Sequence, residues 1–249
     1  MKNQSEWWHE FFPSFRPVFE RIPAKATNAI VRHLIKKLNL EPGMKFLDCP
    51  CGIGRIALPL ARKGINITGV DFMQSYLEEL ERRAKNRKLK IRTVKADMRR
   101  INYQNEFHAA ANIWTSFGYF DKESDNMLVL KKMYKALKPG GRFLMLLLNR
   151  DYVVSNFMAK DWFTAGNTRV FTETEFDYRT SKMKGRWHFV EDGIEKKHEM
   201  TIRLYSYHEL AIMMERAGFI DIEGYGSIKD EPINKDSNGM LILGVKPRR

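Results

Sequence analysis

The apolar positions of the chain change period along its length. From Ser5 to Arg21, residues Trp7, Trp8, Phe11, Phe12, Phe15 and Phe19 recur every three or four positions, which marks one face of a helix. Pro13 and Pro17 interrupt that face and predict two short helices, because proline removes an intrahelical donor. Ile30, Val31, Leu34, Ile35 and Leu38 keep the helical period over Ala24–Leu38, and Pro42-Gly43 is a turn. Strands are then predicted at Lys45–Asp48, Ile65–Asp71, Lys90–Lys95, Ala109–Trp114 and Arg142–Leu148. Helices are predicted between them at Gly52–Lys63, Ser75–Asn86 and Ser124–Leu137, with Lys138-Pro139-Gly140-Gly141 as the turn into the fifth strand. Strands alternating with helices imply a parallel sheet covered on both faces.

After Asn149 the rhythm changes. Arg169–Phe176, Lys182–Val190 and Lys196–Leu204 are β-branched or aromatic runs separated by Thr180-Ser181 and Asp192-Gly193, the pattern of an antiparallel meander. Tyr207–Ala217 is a helix closed by Gly218 at C′. Phe219–Tyr225 and Met240–Val245 are the last strands, joined by a polar loop. The expected organisation is a helical cap over residues 1–40, a sheet domain over 41–150 plus 205–249, and an inserted lid or substrate region over 151–204. The fold class is α/β, with a seven-stranded, mostly parallel, Rossmann-like sheet, helices on both faces, an antiparallel C-terminal strand and a small antiparallel meander.

Composition narrows the function. The 249 residues suit one α/β domain with an insertion, and the 12% aromatic content supports a sizeable core. No apolar run approaches the ~18 residues of a membrane span, and the N-terminus lacks a signal-peptide core, so a soluble, cytoplasmic chain without a membrane partner is expected. Cys49 and Cys51, the two cysteines, are too close for a disulfide framework and have no neighbouring His to complete a zinc set. They read as small buried residues in a tight turn, and no metal is expected. The net charge of +13 raises the prospect of an anionic partner. The basic run from Arg82 to Arg100 nevertheless spreads over a helix end, a loop and a strand, and no RNA-recognition motif accompanies it.

Candidate chemistry begins with Asp48-Cys49-Pro50-Cys51-Gly52-Ile53-Gly54-Arg55, between a predicted strand and helix. Glycines at such a turn let a ligand approach the main chain, and the helix start offers free N–H groups. Asp71 ends the next strand, where a carboxylate accepts the hydroxyls of a ribose. Its alternative role is to cap the following helix. Asp97-Met98 follows the third strand, where a carboxylate can accept an exocyclic adenine amine beside a main-chain N–H. Nicotinamide enzymes share the first two features. Asp97-Met98 and the C-terminal strand pair favour a different nucleoside cofactor.

With these residues in place the chain resembles a known family. FLDCPCGIGRIALPLARKGINITGVD is similar to the first two motifs of class I S-adenosylmethionine-dependent methyltransferases, and VKADMRRI to their adenine motif. LKPGGRFLM and RLYSYHELAIMMERAGFIDIEGYG resemble later segments of the small-molecule members. The likeness covers residues 40–149 and 203–245. It implies S-adenosylmethionine as co-substrate, with Gly52 and Gly54 near the methionine moiety and Asp48 holding its ammonium group. Asp71 would bind the ribose, Phe72 would flank the adenine, and Asp97 with Met98 would read its edge. Pro50 and Asn112 complete the expected cofactor set. Pro50 departs from the family pattern by replacing the first glycine. His108 departs where an acid is common, and is expected on the surface.

The acceptor should lie beyond the fourth strand, at Asn112–Phe120. The Asn/Asp-Pro-Pro-aromatic motif of many polymer-directed amino methyltransferases is absent there, and the Ser-Phe-Gly-Tyr-Phe run resembles small-molecule members. Phe117, Tyr119 and Phe120 are candidate walls, with Trp7, Trp8, Phe11 and Phe12 closing over the cofactor. Arg203 and Tyr205 alternate with Leu204 and are candidate substrate contacts, as are Trp187, His188 and His198. No catalytic residue is assigned. The reading is methyl transfer to N or O of a small molecule by a monomer or homodimer. The alternatives are an RNA methyltransferase, a cofactor-binding scaffold without catalysis, and a nicotinamide dehydrogenase.

Overall fold

A computed structural model describes residues 6–248. Helix α1 (Trp8–Arg21) and helix α2 (Ala24–Lys37) precede the sheet. Then β1 (Lys45–Asp48), α3 (Ala57–Arg62), β2 (Asn66–Asp71), α4 (Gln74–Asn86), β3 (Ile91–Lys95), β4 (Phe107–Asn112), α5 (Glu123–Ala136) and β5 (Leu137–Leu148) alternate. A short helix α6 (Arg150–Ser155) leads to β6 (Lys160–Ala165), β7 (Thr168–Asp177), β8 (Lys182–Glu191) and β9 (Ile194–Arg203). Helix α7 (Tyr207–Ala217), β10 (Ile220–Tyr225) and β11 (Gly239–Val245) end the chain. The main sheet has seven strands in the order β10-β11-β5-β4-β1-β2-β3, and β6 to β9 form a separate four-stranded sheet. Strands β1 to β5 pair in parallel, and β11 runs antiparallel to both neighbours.

Alternation along the buried strands splits the core into two layers. Leu47, Val70, Ala110, Phe143 and Ile242 pack on one face with Leu130 and Met133 of α5 and Leu210 and Met214 of α7. Phe46, Ile67, Ala111, Leu144 and Leu241 pack on the other with Leu34 of α2, Leu60 of α3 and Leu80 of α4. A third core joins Phe11 of α1 to Val170, Phe189, Met200 and Ile202 of the small sheet. That third core attaches the meander to the mouth of the main sheet through the aromatic face of α1.

Four details differ from expectation. Helix α1 is one continuous helix through Pro13 and Pro17. Burial of Trp8 and Phe11, with the Tyr76 hydroxyl donating to the Phe12 carbonyl, outweighs the two missing N–H groups. Helix α3 begins at Ala57 rather than Gly52, because Gly52 (φ +51°) and Gly54 (φ +84°) lie outside right-handed helical space. Lys138–Gly141 is a bulge inside β5, since Phe107 pairs with Leu137 and Ala109 already pairs with Arg142. The meander has a fourth strand, β6, whose sequence KDWFTA carries no clean alternation.

Candidate functional site

One cleft of about 810 Å³ opens at the carboxyl ends of β1, β2, β3 and β4, and α1 and the inner face of the meander roof it. The β1 turn forms its floor. The Cys51 N–H bonds the Val70 carbonyl at 2.8 Å, and the Gly52 N–H donates to Asp71 Oδ2 at 2.8 Å. Asp48, Pro50 and Gly52 line the cleft, and the Cys49–Pro50 peptide is cis. Gly54 does not reach it. A Cβ there would sit 2.2 Å from Leu80 Cδ1, so this glycine serves the packing of α4 on the turn. Cys49 and Cys51 are free and buried, as the tight turn predicts.

Asp48 is the most perturbed acid. Its side chain is buried, its Oδ2 has no partner, and the neighbouring charge of Asp71 adds to desolvation. Burial pushes its carboxyl up to about 8, partly offset by the Ala57 N–H. Asp71 is pushed up to about 6 by burial, against the pull of the Met73, Gly52 and Phe72 N–H groups. Its Oδ1 accepts from Met73 N–H at 2.9 Å, which holds the turn before α4 without capping the helix, and it still faces the cleft. The N–H groups of Gly52 and Met73 leave lone pairs on both oxygens.

Phe72, Asp97 and Met98 line the same cleft. Asp97 is already held by Arg99, whose Nη2 lies 2.6 Å from Oδ2, and whose guanidinium also reaches Asp125 at 3.1 Å and the Phe120 ring at 4.1 Å. Asn112 is a correction: it is fully buried and does not line the cleft. Its Nδ2 donates to the carbonyls of Cys49 (3.1 Å) and Ser116 (3.0 Å), bracing the β1 turn against the segment after β4.

Of the candidate acceptor contacts, Trp8, Phe12, Tyr119 and Phe120 line the cleft, with Trp7, Phe11 and Trp187. Phe117, Arg203 and Tyr205 do not. Phe117 is buried against the Tyr205 ring, and the Tyr205 hydroxyl donates to Glu123 at 3.0 Å. The Arg203 guanidinium bonds the Glu209 carboxylate and the Leu204 carbonyl and lies over the Tyr205 ring. The cause is strand phase: Met200 and Ile202 of β9 point into the cleft, which turns Arg203 to the opposite face. His188 also faces away and meets Glu195 at 2.7 Å, while His198 is hydrogen-bonded to Ser14 at 2.9 Å. His108 is half-buried at the surface, away from the cleft, with Nδ1 on the Lys45 N–H and Nε2 near Lys138 Nζ, both at 3.0 Å.

Arg55 was not singled out from the sequence, yet it lines the cleft. Its Nη2 donates to Thr27 Oγ1 at 2.9 Å, its guanidinium lies over Trp114 at 4.3 Å, and its Nη1 is buried without a partner. Trp114 and Thr115 adopt left-handed backbone (φ +69° and +57°), which turns the chain after β4 and brings the indole over Arg55. Only the position of Arg55 beside Gly54 in the turn could have suggested it. No acid pairs with it among the described residues. Two orphaned polar atoms, Asp48 Oδ2 and Arg55 Nη1, thus belong to an acid and a base of one cleft.

A doubly covered, mostly parallel sheet with an acid at the end of β1, another at the end of β2 and a glycine turn between them is a Rossmann-like fold. Residues 46–141 match the family model described as a methyltransferase domain. A relative from Talaromyces variabilis named as an S-adenosyl-L-methionine-dependent Diels-Alderase is 31% identical over 131 residues, 51% of this chain and 44% of its own length. The ubiquinone biosynthesis O-methyltransferase of Vibrio cholerae is 27% identical over 152 residues, 59% of this chain and 57% of its own. The chain therefore matches about half the length of each. The crystal structure of an S-adenosylmethionine-dependent methyltransferase from Clostridium acetobutylicum superposes with a TM-score of 0.80 at 19% identity, covering 96% of this chain and 99% of that one. Residues 46–141 therefore resemble a methyltransferase domain, and the chain as a whole shares the fold of that methyltransferase structure.

Proposed function

We propose that the protein transfers the methyl group of S-adenosylmethionine to an N or O atom of a small molecule. The observation that carries this reading is the pair of orphaned atoms, Asp48 Oδ2 and Arg55 Nη1, in a cleft that also contains Asp71, Asp97 and Phe72. An α-amino acid presents an ammonium and a carboxylate together, one group suited to each atom. Asp48 would hold the ammonium and Arg55 the carboxylate of the methionyl moiety. Asp71 would accept ribose hydroxyls with its remaining lone pairs. Phe72 would flank the adenine, with Asp97 and Met98 at its edge. S-adenosylmethionine, when bound, supplies an electrophilic methyl group on its sulfonium sulfur. The chain's contribution is alignment and exclusion of water, and proximity of this kind is worth about 7–11 kcal/mol. Roofing by α1 and the meander supports the same reading, because a closed apolar wall keeps water from the reacting atoms.

Calorimetry with S-adenosylhomocysteine tests the proposal. Micromolar binding that is lost in Asp71→Ala is expected, and transfer of a labelled methyl group to an added small-molecule pool should follow. Failure of the wild-type protein to bind at micromolar concentration would sink the reading. One observation favours a second reading: the Talaromyces relative is named for a cofactor-dependent reaction that is not a methyl transfer. Cofactor binding with no label transfer to any acceptor would favour that reading.

A further inference from the structure

The cleft has two chemically distinct ends. Its charged and ionisable lining side chains, among them Asp48, Arg55, Asp71 and Asp97, come from the main sheet, its connections and the first residues of α1. Glu6 and His9 belong to that end as well: Glu6 lies 3.7 Å from Arg99, and the His9 ring is 4.9 Å from Phe72. The opposite wall is built by Phe11 and Phe15 of α1, Met183 and Trp187 of β8, and Met200 and Ile202 of β9. Phe11 meets Trp187 edge-on at 5.4 Å, and Phe15 meets Trp187 at 5.6 Å. None of these six side chains carries a charge.

Two polar groups near this wall are used internally. The Tyr76 hydroxyl donates to the Phe12 carbonyl, and His198 is hydrogen-bonded to Ser14 with its ring behind Phe11. Trp7 Nε1 differs from them. It is buried, has no partner, and belongs to a ring that lines the cleft 5.2 Å from Tyr119. Gly185 lies between Met183 and Trp187 on the same face of β8. A Cβ there would stand 3.0 Å from Trp187 Nε1 and 3.3 Å from Met200 Cγ. The missing side chain is what lets the indole lie down along the sheet and leave the wall open.

A cleft volume of about 810 Å³ is at the upper end of the ~300–1,000 Å³ typical of a site for one drug-sized ligand. That leaves room for an acceptor beside a nucleoside cofactor. A polar or charged acceptor placed against the aromatic wall would lose its hydration without gaining partners. An apolar ring would gain both burial and edge-to-face contacts. We infer that the α1–meander wall binds a predominantly apolar, ring-bearing methyl acceptor in its uncharged form, through Phe11, Phe15 and Trp187, with one hydrogen bond from Trp7 Nε1. This inference rests on the methyl-transfer reading for the identity of its ligand as the acceptor.

The test uses an uncharged fluorescent probe, N-phenyl-1-naphthylamine, and its sulfonated counterpart 8-anilinonaphthalene-1-sulfonate, on the full chain with and without saturating S-adenosylhomocysteine. The expected result is saturable binding of the uncharged probe that persists with the cofactor product bound. The sulfonate should displace it at least about tenfold less effectively than an uncharged naphthalene competitor does. Trp187→Ala should weaken probe binding about tenfold or more while S-adenosylhomocysteine affinity is unchanged, and Trp187→Phe should restore most of it. Gly185→Ala, a smaller change that pushes the indole into the cleft, should weaken the probe in the same way. Competition between probe and S-adenosylhomocysteine would overturn the inference, as would equal displacement by the sulfonate or indifference to both variants. Loss of S-adenosylhomocysteine binding by the wild type would overturn the methyl-transfer reading itself. Cofactor binding without probe binding would overturn only the acceptor class.

Discussion

Replacing Arg55 by Met separates the two ends of an amino-acid ligand. In the cleft the guanidinium is half-buried, stacked on Trp114, tethered through Nη2 to Thr27, and unpaired at Nη1. Burial lowers its pKa to about 10, which leaves it charged at neutral pH. A carboxylate of the methionyl moiety would form a charge-assisted hydrogen bond to Nη1 in a partly desolvated setting. Such bonds contribute about 1.5–3 kcal/mol. At 1.4 kcal/mol per decade, Arg55→Met should raise the Kd for S-adenosylhomocysteine by roughly 10- to 150-fold. The Kd for decarboxylated S-adenosylmethionine, which keeps the ammonium and lacks the carboxylate, should change by no more than about threefold, since no bond to Arg55 is lost. Methionine keeps the volume of the arginine stem and removes a poorly paired cation, so the thermal midpoint of the free protein should hold or rise. Calorimetry with both ligands reads the difference. Equal weakening of both, or no weakening of S-adenosylhomocysteine, would refute the assignment of Arg55.

Other outcomes follow from the same geometry. Asp48, at about 8 in the folded protein, is raised above its ordinary carboxyl value. It therefore contributes stability at acid pH that is lost as pH rises from about 4 through 8, and Asp48→Asn should flatten that dependence in urea melts. An ammonium bound to Asp48 should restore its ionisation, so cofactor-product binding at pH 7 should release close to one proton, about nine-tenths from this site. Calorimetric enthalpies in buffers of different ionisation heat read that proton, and a null in wild type would count against the contact. Gly54→Ala should destabilise by about 2–4 kcal/mol, because the new Cβ meets Leu80 and φ is positive. Gly52→Ala, with nothing within 4 Å of its Cβ, should cost only about 1–2 kcal/mol, and denaturant titration checks the order. Asn112→Ala removes two buried hydrogen bonds that brace the β1 turn, and should cost about 2–4 kcal/mol by the same assay.

Residues of the sequence alone determined the frame. The 3.6 and 2.0 periods fix which face of an element is apolar, and every strand of the main sheet lies within two residues of its expected start and end, apart from the bulged entry to β5. Asp48, Asp71 and Asp97 were legible because a strand end followed by a turn is a local event, and local events are written in neighbouring residues. Gly218 likewise closes α7 in left-handed backbone, as its place after Ala217 predicts.

Tertiary structure decided what no local pattern encodes. The unbroken α1 depends on an aromatic face finding the meander and on Tyr76, some sixty residues away, reaching the Phe12 carbonyl. Arg203 and Tyr205 were misplaced because alternation gives the relative faces of neighbouring residues and not which face meets the cleft. Contact of β9 with α1 sets that phase, and it selects Met200 and Ile202. Arg55 became visible only when packing showed a cation left without an acid, and packing separated Trp187, whose indole lies over a glycine, from the two histidines offered beside it. Asn112 moved from ligand contact to internal brace because one carbonyl it satisfies, that of Cys49, is far along the chain and brought beside it by the pairing of β1 with β4, and the other, that of Ser116, is turned back onto it. Burial and the pairing of polar atoms are properties of the whole packed chain, and they left Asp48 Oδ2 and Arg55 Nη1 without partners and gave the cleft its apolar far wall.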